Sequence, residues 1–274
     1  MSYLPKKSSL IQQIVSVSKN AGAIILDIYK NYEDEFIVKE DSSPLTRADT
    51  ESNKFIVEEL KKITPDIPIL SEEEKDIPFR VRSKWKKYWL IDPLDGTKEF
   101  IKKNGEFTVN IALIRNNRPI FGVIHIPDKQ QTYWGVDGHG SFLVDKHQET
   151  VRIGVQAESN EKIRFLTSRS HSNDESLILD KLESYEVIRA GSSLKFCLIA
   201  SGKADAYLRL GPTAEWDIAA GDAIVKFAGG VMVDLQNRNI VYNVSENLIN
   251  PYFLVTNNNE IAKKILEILN SKDR

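Results

Sequence analysis

The composition is that of a globular protein with almost no net charge. The chain has 274 residues, 41% of them apolar and 28% charged, and a net charge of −2. This small net charge gives no overall attraction for nucleic acid or acidic membranes. An anionic ligand would therefore need a local site. The single cysteine, Cys197, excludes an internal disulfide and fits a reducing compartment. No window approaches the ~18 apolar residues of a membrane span. We predict a cytoplasmic protein and leave open its association with a membrane surface.

Two amphipathic helices are predicted in the first part of the chain. Apolar residues recur at helical spacing over residues 10–28 and again over residues 52–63, before Pro65. Thr46 and Asp49 have the spacing of a capping box at the start of the second helix. Asp49 can therefore be explained by capping alone, and that alternative stays open.

Two short apolar runs further along the chain end in carboxylates. Residues 67–70 lead to Glu72, and residues 88–91 lead to Asp92. If both runs are strands and lie side by side, their ends bring these carboxylates together. The alternative for Glu72 is a residue of a solvated acidic loop.

The stretch Asp92-Pro93-Leu94-Asp95-Gly96-Thr97 places two carboxylates on a turn between a predicted strand and a predicted helix. Pro93 stiffens this turn by fixing φ, and Gly96 lets a ligand approach the backbone. The N–H groups of a helix start suit a phosphate, and paired carboxylates suit Mg²⁺. The alternative is that both aspartates are turn and N-cap residues.

Aspartyl-phosphate phosphatases offer a second alternative, since their two acids also follow an apolar strand. Those acids lie two positions apart. Here the position two before Asp95 is Pro93, which can be neither nucleophile nor acid. The spacing therefore favours the metal hypothesis.

The pattern of elements changes near residue 155. Residues 107–144 predict an antiparallel meander, and strands alternate with helices beyond it, as in a layered α/β arrangement. We predict an α+β half over residues 1–155 and an α/β half over residues 156–274. In the second half, Asp217 is a natural N-cap. Small residues after it predict close packing that would direct Asp217 to the interface between the halves.

Three motifs together resemble those of a known family. Glu72 in Ser71-Glu72-Glu73, the stretch from Asp92 to Thr97, and W-D-x-A-A-G at residues 216–221 resemble motifs of the lithium-sensitive, Mg²⁺-dependent inositol monophosphatase superfamily. Residues 98–100, 104–110, 168–171 and 191–197 resemble its 3′(2′),5′-bisphosphate nucleotidase branch, and inositol-specific members usually have Asn in place of Glu99. The resemblance implies a layered α-β-α-β-α sandwich.

The resemblance also implies a site with two to three Mg²⁺ ions, most of whose ligands lie in the first half. Glu72, Asp92 and the Leu94 carbonyl oxygen would bind one ion, and Asp92, Asp95 and Asp217 a second; a third, weaker ion would lie near Glu72. Thr97, paired with Asp49, would orient the attacking water. Implied substrate contacts come from Gly96, Thr97, Ser168, His171, Ser192, Lys195 and Arg209.

The implied activity is hydrolysis of a small nucleotide and belongs to sulfur assimilation. Adenosine 3′,5′-bisphosphate would give AMP and phosphate by direct attack of metal-activated water, and its 5′-phosphosulfate analogue would give adenylyl sulfate. Lys195 and Arg209 would hold the second phosphate. An inositol or sugar monophosphatase and a non-catalytic nucleotide-binding protein remain alternatives. The sequence leaves the oligomeric state open.

Overall fold

The computed structural model describes residues 8–31, 37–38, 44–156, 161–169 and 176–271. The described helices are α1 (Ser8–Lys30), α2 (Arg47–Ile63), α3 (Phe79–Arg82), α4 (Thr97–Ile101), α5 (Ser176–Leu179), α6 (Leu194–Ala200), α7 (Glu215–Phe227) and α8 (Asn259–Asn270). The strands are β1 (Ile37–Val38), β2 (Pro44–Leu45), β3 (Ile69–Ser71), β4 (Lys87–Asp95), β5 (Thr108–Arg115), β6 (Arg118–Ile126), β7 (Gln131–Val136), β8 (Gly140–Val144), β9 (Thr150–Ile153), β10 (Ile163–Ser168), β11 (Tyr185–Ala190), β12 (Ala206–Arg209), β13 (Val231–Asp234) and β14 (Phe253–Thr256). A 3₁₀ turn covers Glu72–Glu74.

The larger sheet contains seven strands in the order β3 to β9. Strands β3 and β4 are parallel, and each later strand pairs antiparallel with the one before it. The predicted meander is therefore confirmed. Strand β9 was not predicted, because three of its four residues are exposed and it lacks the apolar alternation of a half-buried strand.

The second sheet has five strands in the order β11-β10-β12-β14-β13. Strands β11, β10 and β12 are parallel, whereas β14 is antiparallel to both of its neighbours. The alternation of strands and helices is confirmed, but the sheet is mixed. Between β13 and β14 the chain forms no helix, and an antiparallel pair does not need the crossover that a parallel pair requires.

Five layers result, as the resemblance implied. Helices α1 and α2 cover one face of the larger sheet, and α6 and α7 lie between the two sheets. Helices α5 and α8 cover the outer face of the smaller sheet. Three buried apolar clusters fill the spaces between these layers. No helix among the described residues is both long and apolar enough to span a membrane.

Helix α7 packs unusually close to the larger sheet. A Cβ atom added to Gly122 of β6 would lie 2.5 Å from the carbonyl oxygen of Ala220, and Gly221 faces the ring of Phe196 on α6. The close packing predicted from the small residues is therefore confirmed.

The predicted N-cap of α7 is wrong. The cap is Ala214, and Asp217 is the third helical residue, whose carboxylate accepts the Ala214 N–H at 2.8 Å. The helix begins earlier because the segment before it pairs with a distant loop: Ala214 bridges Ile249, and Glu215 N–H donates to the Leu248 carbonyl. Local preference could not reveal that pairing.

Candidate active site

The parallel pair β3 and β4 brings two carboxylates to one edge of the sheet. Ser71 pairs with Ile91, so the next residues, Glu72 just after β3 and Asp92 within β4, lie side by side. Asp92 is only 1% exposed, and its Oδ1 accepts the Leu94 N–H at 3.1 Å. Burial raises the pKa of Asp92 well above its ordinary value, and the negative charges nearby raise it further. Those charges belong to Glu72, Asp95, Asp217 and Asp49.

An irregularity in β4 separates the two aspartates of the turn. The register with β5 shifts between Asp92 and Asp95. The carbonyl of Pro93 accepts a hydrogen bond from Ser52 Oγ of α2 at 2.8 Å, which fixes the shifted segment to the helix layer. Gly96 follows with φ +88°, a left-handed conformation that favours glycine, and caps α4.

Asp49 both caps a helix and binds Thr97, a residue that lines the cleft. Its Oδ2 accepts from the backbone N–H and the hydroxyl of Thr46 at 2.7 and 2.6 Å, which confirms the capping box. Its Oδ1 accepts from the Thr97 hydroxyl at 3.2 Å. The two interpretations of Asp49 are therefore compatible, because each uses a different oxygen.

Asp95 is held from the other half of the chain. Its Oδ2 accepts three hydrogen bonds, each 2.7 Å long, from the Ser192 hydroxyl, the Ser193 N–H and the Ser193 hydroxyl. Ser192 itself has φ +51°. This left-handed residue directs two successive donors at a single carboxylate oxygen.

Asp217 enters the cleft from the first turn of α7. Burial raises its pKa, as do Asp95 and Glu72, whereas the hydrogen bond from Ala214 and the charge of Arg209 lower it. Like Asp92 and Asp95, it has one carboxylate oxygen held within the described structure and a second that accepts no hydrogen bond there.

An all-oxygen set of this kind fits Mg²⁺ rather than Zn²⁺, for which imidazole and thiolate are preferred. Mutual repulsion among these carboxylates also favours a cation between them. Within the described residues, no three His, Cys, Asp or Glu side chains already form a compact metal-binding group.

Two cations, Lys195 and Arg209, line the same cleft as Asp95 and Asp217 and are called the cationic wall. The lining also includes Thr97 and Ser168, among others. The Lys195 ammonium is buried; it donates to the Ser192 carbonyl at 2.8 Å and lies 5.1 Å from the centre of the Tyr207 ring. Burial lowers the pKa of Lys195 to about 8; Arg209 lowers it too, whereas Asp95 and two glutamates oppose the shift.

Arg209 donates from Nη2 to the Pro212 carbonyl at 3.3 Å, and its buried Nε has no hydrogen-bond acceptor among the described residues. The guanidinium is thus only partly engaged by the protein. His171, also predicted to contact substrate, lies outside the described residues.

Several residues of this site were not singled out from the sequence. Glu106 accepts from Arg169 at 2.6 and 3.0 Å and from the Gly191 N–H at 2.7 Å, which ties the start of β5 to the turn before α6. Ser193, Thr108 and Asn110 belong to motifs noted above, but their roles depend on contacts between residues more than 80 positions apart. A single sequence does not show such pairing.

Comparisons with known proteins identify the class to which a chain with this layered fold and acidic cleft belongs. The model of the inositol monophosphatase family matches residues 6–273, and the chain belongs to this family. The fold is shared with the suhB protein of Bartonella henselae at a TM-score of 0.79 and 24% identity, covering 95% of this chain and 98% of that one.

More similar proteins carry a specific name. The chain is 43% identical over 249 residues to the 3′(2′),5′-bisphosphate nucleotidase CysQ of Salmonella typhimurium, covering 90% of this chain and 99% of that protein. The corresponding CysQ of Escherichia coli K12 is 41% identical with the same coverage. A crystal structure of CysQ from Bacteroides thetaiotaomicron superposes with a TM-score of 0.80 at 37% identity, covering 93% of this chain and 99% of that one.

Proposed function

We propose that the chain is a Mg²⁺-dependent 3′(2′),5′-bisphosphate nucleotidase that converts adenosine 3′,5′-bisphosphate to AMP and phosphate. The relatives that carry this name support the proposal over nearly the full length of the chain. The observation that carries it is the pairing of carboxylates with Lys195 and Arg209 in one cleft. A bisphosphate needs both: a metal-binding side for the reacting phosphate and a cationic side for the other.

Two Mg²⁺ ions, with a third bound more weakly near Glu72, would be held by side chains from both halves. Glu72, Asp92 and the Leu94 carbonyl would bind one ion, and Asp92, Asp95 and Asp217 a second. Bound Mg²⁺ would polarise the phosphoryl oxygens, lower the pKa of a water molecule and stabilise the leaving oxygen.

The pairing of Thr97 with Asp49 gives the attacking water an orientation. The Thr97 hydroxyl donates its only proton to Asp49 Oδ1, so its oxygen is left to accept a hydrogen bond. A water that donates to Thr97 turns a lone pair toward the phosphorus. The backbone N–H groups that begin α4 have no partner within the helix and would bind the phosphate oxygens.

The second phosphate would bind Lys195 and Arg209. Arg can hold a phosphate through two parallel hydrogen bonds, and the partly engaged guanidinium of Arg209 can turn such a pair toward a ligand. Ser168 and Ser192 line the cleft beside them and can donate further hydrogen bonds. A sulfate at the same position would meet the same donors, so the 5′-phosphosulfate analogue is a second substrate of this proposal.

Phosphate release from a substrate panel, with and without Mg²⁺, tests the proposal. The panel contains adenosine 3′,5′-bisphosphate, its 5′-phosphosulfate analogue, inositol 1-phosphate and fructose 1,6-bisphosphate. We expect release only with Mg²⁺ and fastest from the two nucleotides. Faster release from inositol 1-phosphate or fructose 1,6-bisphosphate would favour an inositol or sugar phosphatase. Nucleotide binding without release would indicate a non-catalytic protein.

A further inference from the structure

The Ser193 hydroxyl connects the two carboxylate residues that the proposal places on the same ion. It lies 2.7 Å from Asp95 Oδ2, 2.8 Å from the backbone carbonyl of Asp217 and 2.9 Å from Asn110 Nδ2. Ser193 and Asn110 are each 1% exposed, so no solvent competes for these contacts. A hydroxyl has a single proton, and its direction therefore decides which of the two oxygen acceptors it stabilises.

Strand β5 sets that direction. The Thr108 hydroxyl donates to Asn110 Oδ1 at 3.0 Å, which leaves the Asn110 amide nitrogen facing Ser193. This nitrogen can only donate, so Ser193 accepts from it and must send its own proton elsewhere. Of the two remaining acceptors, the carboxylate of Asp95 forms the stronger bond, because hydrogen bonds to a charged group are about twice as strong as neutral ones.

We propose that Asn110 is a positioning residue for the reaction. Through Ser193 it directs a proton to Asp95 Oδ2, which keeps that oxygen bound within the protein and the other oxygen turned toward the cleft. This inference rests on the proposed function, in which Asp95 binds Mg²⁺. The chain Thr108–Asn110–Ser193–Asp95 is called the β5 relay below.

The surroundings of the β5 relay make it rigid. The left-handed turn at Ser192 is fixed by the Gly191 N–H bond to Glu106 and by the Lys195 ammonium on the Ser192 carbonyl. A second hydroxyl, that of Ser192, lies 2.8 Å from Thr108 Oγ1 and 2.7 Å from Asp95 Oδ2. Because the Thr108 proton is already donated to Asn110, the single Ser192 proton serves one of these two contacts at a time. The donors to Asp95 are therefore held by the strand layer and by α6 at once. Carboxylates preorganised in this way bind metals more tightly than mobile ones.

Binding of Mg²⁺ alone, measured by calorimetry without nucleotide, tests the β5 relay. We expect Asn110→Ala and Ser193→Ala each to raise the Mg²⁺ dissociation constant roughly 10- to 100-fold. Because Asn110 acts through Ser193, the double variant should bind Mg²⁺ about as well as either single variant. Ser201→Ala is the matched control, since this hydroxyl donates to the Cys197 carbonyl at the far end of α6.

Asn110→Asp separates the effect of the Ser193 proton's direction from the effect of an added charge, and it keeps the shape of the side chain. Its added negative charge by itself would strengthen Mg²⁺ binding. Its oxygens cannot donate to Ser193 and would instead attract the Ser193 proton away from Asp95, which predicts weaker binding. At saturating Mg²⁺, we expect kcat for adenosine 3′,5′-bisphosphate to fall more than KM rises in Asn110→Ala, Ser193→Ala and Asn110→Asp.

Unchanged Mg²⁺ binding in Asn110→Ala would overturn the inference, as would additive losses in the double variant or tighter binding in Asn110→Asp. Those results would leave the proposed function intact so long as the unsubstituted protein binds Mg²⁺. A lack of Mg²⁺ binding by the unsubstituted protein would overturn the metal assignment and the β5 relay together.

Discussion

Asp49 and Asp217 each cap a helix and also have a role at the proposed site. Asp49 and Asp217 are each the third residue of a helix, and each accepts the N–H of the capping residue with one oxygen. The positive end of the helix dipole favours a negative charge at this position. Capping therefore fixes one oxygen of each carboxylate and leaves the other for Thr97 in the case of Asp49 and for the cleft in the case of Asp217, so a capping role is no argument against a functional one.

Removing the charge of one proposed ligand should remove most turnover but preserve the fold. In Asp95→Asn, an oxygen remains to accept from Ser192 and Ser193, and in Asp217→Asn an oxygen remains for the Ala214 N–H. We expect each variant to lose most turnover at low Mg²⁺. The melting temperature in EDTA should hold or rise, because burial and repulsion already raise the pKa of Asp217 and of Asp92. Near-normal turnover at low Mg²⁺ in either variant would refute the site assignment.

The cationic wall should govern substrate choice more than chemistry. We expect Arg209→Ala and Lys195→Ala to raise KM for adenosine 3′,5′-bisphosphate roughly ten- to a hundredfold, the value of a charged hydrogen bond of about 1.5–3 kcal/mol. Hydrolysis of 2′-AMP, which lacks the second phosphate, should change much less in Arg209→Ala. Lys195→Ala should also lower kcat. Lys195 holds the Ser192 carbonyl, and Ser192 in turn contacts Asp95, a proposed metal ligand. Equal losses on both substrates in Arg209→Ala would place that residue with the metal ligands or the fold.

The position of α7 depends on glycines that allow its close approach to the larger sheet. In Gly122→Ala the new Cβ would lie 2.5 Å from the Ala220 carbonyl oxygen, and a helix backbone cannot move aside cheaply. We expect the unfolding free energy in urea to fall by about 1–3 kcal/mol, as for other overpacked cores. Gly154→Ala is the control, because its Cβ would have ordinary contact at 3.6 Å from the Ala228 oxygen. An equal effect of both substitutions would contradict tight packing of α7.

The elements that could be predicted from sequence are those that local chemistry determines. The capping box of α2 and the bounds of α6 follow from residue spacing and composition, and β3 and β4 from short apolar runs. Their parallel pairing made the approach of Glu72 to Asp92 predictable. The start of α7 and the β5 relay were not predictable, because distant segments determine them: Leu248 and Ile249 set the first, and the turn at Ser192 sets the second.

The stability of the protein should depend on pH through Glu215, a buried carboxylate outside the cleft. Glu215 is 4% exposed, and both of its oxygens accept the Asn243 N–H. Burial raises the pKa of Glu215 from 4.5 to about 7, although the Asn243 amide and the Arg82 charge lower it. The folded protein then keeps a proton that the unfolded chain has lost, so stability falls as pH rises from about 4.5 to about 7.

Glu215→Gln should flatten this pH dependence. The substitution keeps the shape and one oxygen acceptor but cannot ionise. Between pH 5 and 8 in EDTA, we expect its unfolding free energy to fall by about 1–3 kcal/mol less than that of the unsubstituted protein, at ~1.4 kcal/mol for each pKa unit. Glu51→Gln, on the exposed face of α2, is the control. A pH dependence identical to that of the unsubstituted protein would show that Glu215 does not keep its proton in the fold.

The fold brings Asp95, at the end of β4 in the larger sheet, to two cations of the second half of the chain. Arg209 ends β12 of the smaller sheet, and Lys195 lies in α6, the helix that follows β11. The cleft thus has an acidic side and a cationic side. The proposed function follows from this division, because one phosphate would meet the carboxylates and Mg²⁺ while the other meets Lys195 and Arg209. The division also predicts which phosphate is cleaved. A substrate with its 5′ group on the cationic wall presents its 3′ phosphate to the proposed ions.

Phosphorus NMR of the reaction with adenosine 3′,5′-bisphosphate tests this claim most directly. With Mg²⁺ we predict loss of the 3′-phosphate signal, one equivalent of inorganic phosphate and an intact 5′-phosphate, so that AMP is the only nucleotide product. EDTA should stop the reaction, and the Ser201→Ala variant should react as the unsubstituted protein does. Formation of adenosine 3′-phosphate, or phosphate release that persists without metal, would contradict the proposed site.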